Sequence, residues 1–385
     1  MLLRVVVAGA MLALVGGCAT QRVADSNTHP VPAAGGAAHA SSGVRRPAYN
    51  TGDGFFVLNG TLYDANGIEF RIRGLNSSKR DDGEAQAMAN TNTNTVRSYK
   101  KDFNSAPADE VNLLTTLFLN YGEVPIVSLG RIPNTSKDTT GDVDPANLQA
   151  VVDYWIANAS YYTTLNKWLI LNPANEWGPA TKYGDGWATA YAAQIPRLRA
   201  AGYLGPLMID AGGWGQDEAT IENYAQQVWN SDPQKNLIFS IHIYRVFSNN
   251  TLDASIKRMQ AACQQMGAVL VVGEFGPGNN AYGSGYVDPQ LVVSSAEANG
   301  VGWMPWAWDE ANGPYPGGPA GTDGWLSLSR YTNLYNTSAD LTLFGQKIVE
   351  GCLNPDAVAG CGGAGSPQYS GQGLKNLAQK ASIFP

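Results

Sequence analysis

Charged residues, histidine and cysteine are all scarce in this sequence. Asp, Glu, Lys and Arg make up 15% of the 385 residues, the net charge is −7, and Lys and Arg form no run along the chain. This acidic balance argues against binding to nucleic acid and against a polybasic membrane-binding surface. Of the four cysteines, none has a histidine or a second cysteine at metal-ligand spacing. The sequence therefore gives no support for a zinc site.

A long hydrophobic segment is also missing, except for a short one near the N-terminus. Arg4 and the apolar residues 5–15 have the pattern of an export signal, and this stretch is too short to remain as a membrane-spanning helix. The residues that follow, Val15-Gly16-Gly17-Cys18, resemble the lipobox of bacterial lipoproteins, in which cleavage occurs before a cysteine that is then lipidated. We therefore predict a lipoprotein signal peptide at residues 1–17 and lipidation of Cys18; an ordinary secretory signal is the alternative.

The expected location follows from this signal. The protein is expected to be exported and lipid-anchored at the cell surface or outer membrane, or secreted, with the N-terminal lipid as its only membrane contact. Residues 18–50 are mostly small or polar, which predicts a flexible linker with His29 and His39 in solvent. Residues 51–350 predict one large domain, which we expect to be monomeric, and residues 351–385 predict a Gly-rich C-terminal tail.

The remaining cysteines suggest one disulfide and one thiol. Cys352 and Cys361 are nine residues apart in the Gly-rich tail, and export to an oxidising compartment favours a disulfide between them. Cys263 lies in a predicted helix and is expected to be a buried thiol.

Short apolar segments alternate with helical patterns along the domain. The predicted strands are residues 69–75, 93–97, 124–129, 168–171, 207–209, 237–241, 269–272 and 301–308. The predicted helices are residues 108–119, 145–165, 187–201, 218–229, 252–266 and 288–299. Eight strands with helices between them predict an α/β fold, a closed (β/α)₈ TIM barrel.

Two further segments bear on this fold. An open doubly wound sheet is the main alternative, but it usually has a Gly-rich turn after its first strand, and Arg73-Gly74-Leu75-Asn76 is not a phosphate-binding loop. Residues 54–67 alternate apolar and turn-forming residues, which predicts an N-terminal β-hairpin at the barrel floor.

Polar side chains follow several of the predicted strands. Glu176 follows the fourth strand in Asn175-Glu176-Trp177-Gly178, and Glu274 follows the seventh in Gly273-Glu274-Phe275-Gly276. Active sites of such barrels lie at the carboxyl ends of the strands, so we expect the two carboxylates to meet there. A carboxylate pair beside aromatic residues suits glycoside hydrolysis, which needs one proton donor and one nucleophile or base and requires no cofactor.

Each residue alone has a simpler interpretation. An Asn-Glu pair after a strand often caps a helix, a single histidine is often part of the core, and a single tryptophan often packs there. Their joint occurrence in this strand order favours the catalytic interpretation.

The same segments resemble glycoside hydrolase family 5 of clan A over residues 54–345. The resemblance is carried by Asn-Glu after strand four and Gly-Glu-Phe-Gly after strand seven, with Arg97 at strand two and His242-Ile243-Tyr244 at strand six. Three further stretches are similar to the bacterial endo-β-1,4-mannanases of that family: residues 209–216, which include Trp214, residues 239–244, and residues 302–308.

The resemblance implies a role for each matching residue. Glu176 would be the acid/base and Glu274 the nucleophile of a retaining reaction. Arg97 and Tyr244 would position Glu274 and keep it ionised. The other matching residues would bind substrate or support the acid/base: Asn175 at the sugar 2-hydroxyl, His242 beside the acid/base, Trp306 as the sugar platform with Trp308 as its rival, and Trp214.

The sequence departs from the family pattern after strands three and eight. Asp138-Thr139-Thr140-Gly141 resembles an Asp-x-Thr-Gly element, but Lys137 stands where the family branch usually has histidine, and the loop at residues 130–136 is longer. After strand eight, Asp309-Glu310-Ala311-Asn312 replaces the usual Lys-Gly-Asn. If Lys137 faces the sugar, we expect either a slow mannanase or a shifted substrate, such as a decorated or anionic glycan that Lys137 or Arg131 could pair with. The alternative is that the longer loop refolds and Lys137 points to solvent.

Three functions therefore compete. The first is an endo-β-1,4-mannanase acting on mannan-type polysaccharide. The second is another family 5 β-glycanase, such as an endo-β-1,4-glucanase (cellulase). The third is a surface lipoprotein that binds glycan without cleaving it, which is disfavoured because a lectin has no need for both Glu176 and Glu274.

Overall fold

A computed structural model describes residues 43–77, 82–100, 106–277, 287–309, 326–330, 333–352 and 372–384. Within these ranges the strands are β1 (Phe56–Leu58), β2 (Thr61–Tyr63), β3 (Gly74–Ser77), β4 (Thr95–Lys100), β5 (Val124–Leu129), β6 (Ile170–Asn172), β7 (Leu207–Asp210), β8 (Leu237–Ile243), β9 (Val269–Phe275) and β10 (Gly302–Trp303). The α-helices in the same ranges are α1 (Asp82–Ala89), α2 (Pro107–Tyr121), α3 (Pro145–Ala157), α4 (Ala159–Tyr162), α5 (Gly186–Ala200), α6 (Glu218–Ser231), α7 (Leu252–Met266), α8 (Pro289–Ala298), α9 (Leu343–Gly345) and α10 (Leu374–Leu377).

Strands β3 to β10 form one parallel sheet in sequence order. Its two edges meet through a parallel bridge between Arg73 and Trp303, and the main-chain N of Trp303 donates to the carbonyl of Ile72 at 2.9 Å. The β5, β7 and β8 residues are all buried, as expected for strands covered by helices on one side and by barrel side chains on the other. The TIM-barrel prediction is therefore confirmed.

The hairpin of β1 and β2 lies at the amino ends of the barrel strands. Asn59 and Gly60 have φ angles of 50° and 78°, the left-handed values that a two-residue type I′ turn requires. The N–H of Val57 donates to Oδ1 of Asn236 at 3.0 Å, just before β8, and the N–H of Gly60 donates to the carbonyl of Gly267 at 3.0 Å, just before β9. These contacts place the hairpin at the floor, as predicted.

Helix starts follow from side-chain caps and proline. Asp144, Asp217 and Asp288 each accept a hydrogen bond from the second main-chain N–H of the helix that follows. The helix predicted over residues 145–165 differs, because it is interrupted at Asn158, whose φ of −108° and ψ of 13° are not helical. Helix α1 was not predicted from the sequence.

The folded domain extends beyond both ends of the predicted 51–350 boundaries. At the N-terminal side, the guanidinium of Arg46 lies 4.4 Å from the ring centre of Phe56 and donates to Asn50 at 2.8 Å, so residues 43–50 are not a free linker. At the C-terminal side, Ser382 donates to Asp64 at 2.6 Å and Phe384 packs on Phe118 at 5.6 Å. Part of the predicted tail therefore packs against the barrel.

The cysteine predictions have mixed outcomes. Cys263 is a buried free thiol in α7, as predicted. Cys352 is buried and disulfide-bonded, whereas Cys361 lies outside the described residues. Residues 1–42, with the predicted signal peptide, Cys18 and most of the predicted linker, also lie outside them. In the part of the chain that is described, no helix combines the length and the hydrophobicity needed to cross a membrane.

Candidate active site

The predicted polar residues converge at the carboxyl ends of β4, β6, β8 and β9. Arg97 lies in β4 opposite Asn76 of β3, and His242 of β8 is the register partner of Glu274 in β9. A register shift between Ile241 and His242 aligns the two. An oxygen of Glu176, a ring nitrogen of His242 and an oxygen of Glu274 all lie within 4.8 Å of one another. The barrel thus assembles the carboxylate pair that the sequence predicts.

Glu274 is held by two donors on opposite oxygens. Nη1 of Arg97 donates to Oε1 at 2.7 Å, and the hydroxyl of Tyr244 donates to Oε2 at 3.0 Å. Burial raises the pKa of Glu274 to about 7, although His242 and Arg97 act to lower it. The nearby Glu176 and Asp210 add negative charge and act in the same direction as burial.

Arg97 is itself fully buried among amide and hydroxyl groups. Besides Glu274, its guanidinium donates to four side-chain oxygens between 2.6 and 3.2 Å away, which belong to Asn76, Ser128, Asn172 and Asn175. A buried guanidinium needs every N–H to be matched, and these acceptors fix its orientation. Asn76, Ser128 and Asn172 were not predicted as site residues; Ser128 lies inside a predicted strand, and Asn76 and Asn172 each lie one residue beyond the end of one.

Glu176 has an unusual main chain for its residue type. Its φ is 49°, in the left-handed region that a residue with a long side chain rarely adopts. Its N–H donates to Oδ2 of Asp210 at 3.0 Å, and its carbonyl accepts from the N–H of Gly141 at 3.0 Å. The strained conformation is therefore fixed from both sides, which directs the carboxyl group into the site.

His242 joins Glu176 to Asp210. Its Nδ1 lies 2.7 Å from Oε1 of Glu176, and its Nε2 forms an ion pair with Oδ1 of Asp210 at 3.5 Å. Burial alone would lower the pKa of His242, but the negative charges of Glu274 and Asp210 and the hydrogen bonds with Asp210 and Glu176 raise it to about 10. Burial alone would raise the pKa of Asp210, but His242 and Arg97 bring it to about 2. Asp210, which ends β7, was not predicted as a site residue; its position at a strand end was the available signal.

Such a trio of side chains resembles a metal site in composition only. Glu176, His242 and Glu274 have the right atom types and spacing for a divalent cation. However, Nδ1 of His242 already lies 2.7 Å from Oε1 of Glu176, and the negative charges of Glu274 and Asp210 raise the pKa of His242, which favours its protonated form over metal binding. Arg97 also contributes its positive charge directly to Glu274.

The loops around Glu176 are bonded to one another. The N–H of Gly178 donates to the carbonyl of Asp142 at 2.8 Å, and the N–H of Gly213 donates to the carbonyl of Gly178 at 2.9 Å. Nδ2 of Asn175 donates to Oγ1 of Thr140 at 2.7 Å. The Asp-x-Thr-Gly element therefore supports the Asn175–Glu176 pair through both side chain and main chain.

Three predicted tryptophans have different surroundings. Trp214 is 59% exposed, and a Cβ on Gly141 would lie 2.6 Å from its indole ring, so Trp214 packs on that glycine. Trp306 is half-buried and stands edge-on to Tyr99, with ring centres 5.5 Å apart. Trp308 is fully buried, so the structure places it in the core, which leaves Trp306 as the better sugar platform. Tyr99, whose pKa is raised by burial and by Glu274, was not predicted.

Lys137 is exposed. Its loop is closed by a bridge between Arg131 and Asp138, whose side chains form an ion pair at 3.6 Å, and by the N–H of Ile132, which donates to the carbonyl of Lys137 at 2.9 Å. This position agrees with the second of the two expectations for Lys137, in which the side chain points to solvent.

The chain is similar in sequence to a known family and to known proteins. Residues 63–312 match the model of the cellulase family, glycosyl hydrolase family 5. The chain is 34% identical to a mannan endo-1,4-beta-mannosidase of Salipaludibacillus agaradhaerens over 262 residues, which cover 66% of this chain and 81% of that protein. It is 31% identical to a mannan endo-1,4-beta-mannosidase of Cellvibrio japonicus, with 79% of this chain and 72% of that protein covered.

A solved structure is also similar to this chain. The beta-mannanase from Thermomonospora fusca is 27% identical and superposes with a TM-score of 0.66, covering 86% of this chain and 99% of that one. The resemblance noted in the sequence is confirmed, and the chain belongs to glycosyl hydrolase family 5.

Proposed function

We propose that this protein is a retaining endo-β-1,4-mannanase with Glu176 as the acid/base and Glu274 as the nucleophile. The observation that carries the proposal is the approach of the two carboxylates, which have oxygens within 4.8 Å of one another. Retaining glycosidases hold their carboxyl groups roughly 5–5.5 Å apart, whereas inverting ones need about 6.5–9.5 Å to admit a water molecule. The two curated relatives named as mannan endo-1,4-beta-mannosidases support mannan as the substrate.

In the first step Glu274 attacks the anomeric carbon while Glu176 gives its proton to the glycosidic oxygen. Arg97 and Tyr244 hold the Glu274 carboxylate so that an oxygen faces the sugar. The carbon–oxygen bond to the leaving chain breaks and an ester to Glu274 forms. The carboxylate left on Glu176 accepts a hydrogen bond from Nδ1 of His242, 2.7 Å away.

In the second step the roles of the two groups reverse. Glu176 takes a proton from water, the water oxygen attacks the anomeric carbon, and the ester to Glu274 breaks with its electron pair returning to the carboxylate. We assign the sugar 2-hydroxyl to Asn175, and the contacts of its side-chain oxygen with Arg97 and of its nitrogen with Thr140, beside the carboxylates, support this assignment.

The substrate is tested with a panel of soluble mannan, glucomannan, mixed-linkage β-glucan and substituted cellulose. The release of reducing ends from mannan and glucomannan at a higher kcat/KM than from the glucans is the expected result. Preference for the glucans would make the protein an endo-β-glucanase of the same family. Binding without any release of reducing ends would favour a glycan-binding protein instead.

The roles of the carboxylates are tested by azide rescue of Glu274→Ala and Glu176→Ala. Azide should restore activity on an activated aryl glycoside in both variants, since it replaces the missing nucleophile in one and attacks the glycosyl-enzyme in the other. The product should have inverted configuration with Glu274→Ala and retained configuration with Glu176→Ala. Exchanged configurations would exchange the two assignments.

A further inference from the structure

An aromatic groove lies at the barrel floor, at the end opposite to Glu176 and Glu274. It has a volume of about 330 Å³ and is lined by Tyr49, Asn59, Trp229, Pro233, Lys235 and Met266. Asn59 belongs to the hairpin turn, and Lys235 stands just before β8, so both belong to the amino ends of the strands. A volume of this size lies at the lower end of the range typical of small-molecule sites.

Tyr49 is an exposed ring on a fixed main chain. The residue is 46% exposed. The N–H of Asn50 donates to the carbonyl of Pro47 at 3.0 Å and closes a turn around it. On the following residue, the N–H of Thr51 donates to Oε1 of Gln234 at 2.8 Å, which fixes this segment beside Pro233 and Lys235. The main chain that carries the ring is therefore fixed before any ligand arrives, and this reduces the entropy lost on binding.

The groove combines apolar surface with polar groups at its edge. Trp229 and Met266 form apolar walls, and Asn59 is exposed at the rim. Nζ of Lys235 donates to the carbonyls of Trp229 and Asn230 at 2.9 and 3.2 Å, which leaves one of its three N–H groups for a ligand. An exposed ring with amide and ammonium donors beside it fits the two sides of a sugar, whose C–H face packs on rings and whose hydroxyls accept hydrogen bonds.

We propose that this groove is a second glycan-binding site, which holds a sugar of the same polysaccharide chain that the active site cleaves. The identity of the glycan rests on the proposed function; the site itself rests on the groove. A long polysaccharide would fill both sites, either with one chain that reaches both or with two separate chains. The polysaccharide would then be retained near the enzyme between cleavages. A short oligosaccharide would occupy the active site alone, and this difference separates the two sites experimentally.

The test compares Tyr49→Ala with Tyr161→Ala in native gels that contain soluble galactomannan. Tyr161 is a matched control, because it is a tyrosine of similar exposure (45%) that lies on α4 and does not line the groove. Both changes are made in a Glu274→Gln background so that the polysaccharide stays intact. Tyr49→Ala should weaken binding to the polysaccharide by about three- to tenfold, the loss of one aromatic contact, whereas Tyr161→Ala should leave it unchanged. Tyr49→Phe, which keeps the ring, should retain most of the binding.

Kinetics on a short manno-oligosaccharide complete the test. With Glu274 intact, Tyr49→Ala should keep kcat/KM within a factor of two of the unmodified protein. Equal mobility of Tyr49→Ala and Tyr161→Ala in the gels would overturn the proposal, and so would an equal loss on the oligosaccharide. A parallel gel with mixed-linkage β-glucan distinguishes a failure of the mannanase proposal from a failure of the second site. If the enzyme prefers glucan, the mannanase proposal fails. A mobility shift in the glucan gel that depends on Tyr49 still supports the second site.

Discussion

Oδ1 of Asp210 lies 3.5 Å from Nε2 of His242, on the side of the imidazole that faces away from Glu176. Both side chains are fully buried. Asp210 therefore adds to the negative charge of Glu274 in raising the pKa of His242, and Nδ1 of the same ring lies 2.7 Å from the acid/base Glu176. Through these two contacts Asp210 is a positioning residue, which acts on the reaction through His242.

Replacement of Asp210 with Asn should lower the pKa of His242, because one of the two anions that raise it is removed. We expect kcat/KM to fall by roughly one order of magnitude, as the hydrogen bond to Glu176 weakens. Titration of the imidazole signals by NMR measures the shift, and the exposed Asp153, changed to Asn, is the control. An unchanged His242 pKa in Asp210→Asn would contradict this role.

Replacement of Glu176 with Gln should shift the acidic limb of the pH profile to lower pH. Glu274 must be ionised to attack, and its pKa is raised to about 7, so activity should fall as pH decreases through this value. Glu176 contributes to the increase through its negative charge, and the amide removes that charge. The measurement uses an aryl glycoside with an activated leaving group, which needs no acid catalyst. A limb that stays in place would mean that Glu176 does not influence Glu274.

Replacement of Arg97 with Lys should lower the free energy of unfolding by about 2–4 kcal/mol, because one ammonium cannot satisfy the acceptors that the guanidinium serves. Activity should fall with it, since Glu274 loses its main donor. Denaturant unfolding gives the stability, and Arg258→Lys is the matched control. Arg258 is 50% exposed and pairs with Glu218 and Glu222, so its change should stay within about 0.5 kcal/mol. Equal losses in the two variants would contradict the buried role of Arg97.

Replacement of Lys137 with His should change kcat/KM on mannan by less than a factor of two. The side chain is exposed, and the loop is held by the pairing of Arg131 with Asp138 and by the main chain of Lys137 rather than by its side chain. Initial rates on mannan and on the best alternative glycan provide the measurement. A tenfold gain on mannan would place residue 137 in contact with the sugar and restore the first interpretation of this position.

Replacement of Cys18 with Ser should release the protein into the soluble fraction, if Cys18 is the lipidated first residue of the mature chain as we propose. Detergent partitioning of cells that express each form, with the mass of the mature N-terminus, tests this. A native protein that retains residues 1–17, or that is already soluble with Cys18 in place, would exclude the anchor.

The barrel and the carboxylate pair were predictable because both depend on order along the chain. Strand-like segments in sequence give the strand order, and residues at their carboxyl ends must then meet. Asp210 and Asn172 were harder to recognise, because a short polar residue at a strand end has many common roles. Asn172 and Asp210 acquire their roles through contacts with Arg97 or His242. The two residues of each such contact are between 32 and 113 positions apart in the chain.

Two other positions show why local patterns were not sufficient. Trp306 and Trp308 are two residues apart, as on one face of a strand, but β10 ends at Trp303, so strand alternation does not apply to them. Residues 43–50 have the composition of a linker, yet the segment packs because Asn50 and Thr51 bond to Gln234, more than 180 residues away. Such contacts leave no periodic signal in the sequence.

The main-chain hydrogen bonds that Gly178 donates to Asp142 and that Gly213 donates to Gly178 have a consequence for recombination between related enzymes. A chimera that exchanges only the loop carrying Glu176 would need the donor and recipient loops to match at both junctions, and a mismatch at either one would shift the φ of 49° that directs the acid/base. Crossovers placed before β5 and after residue 217 would transfer the segments that carry Asp142, Gly178 and Gly213 together. We therefore expect productive chimeras of this family to have breakpoints outside residues 124–217.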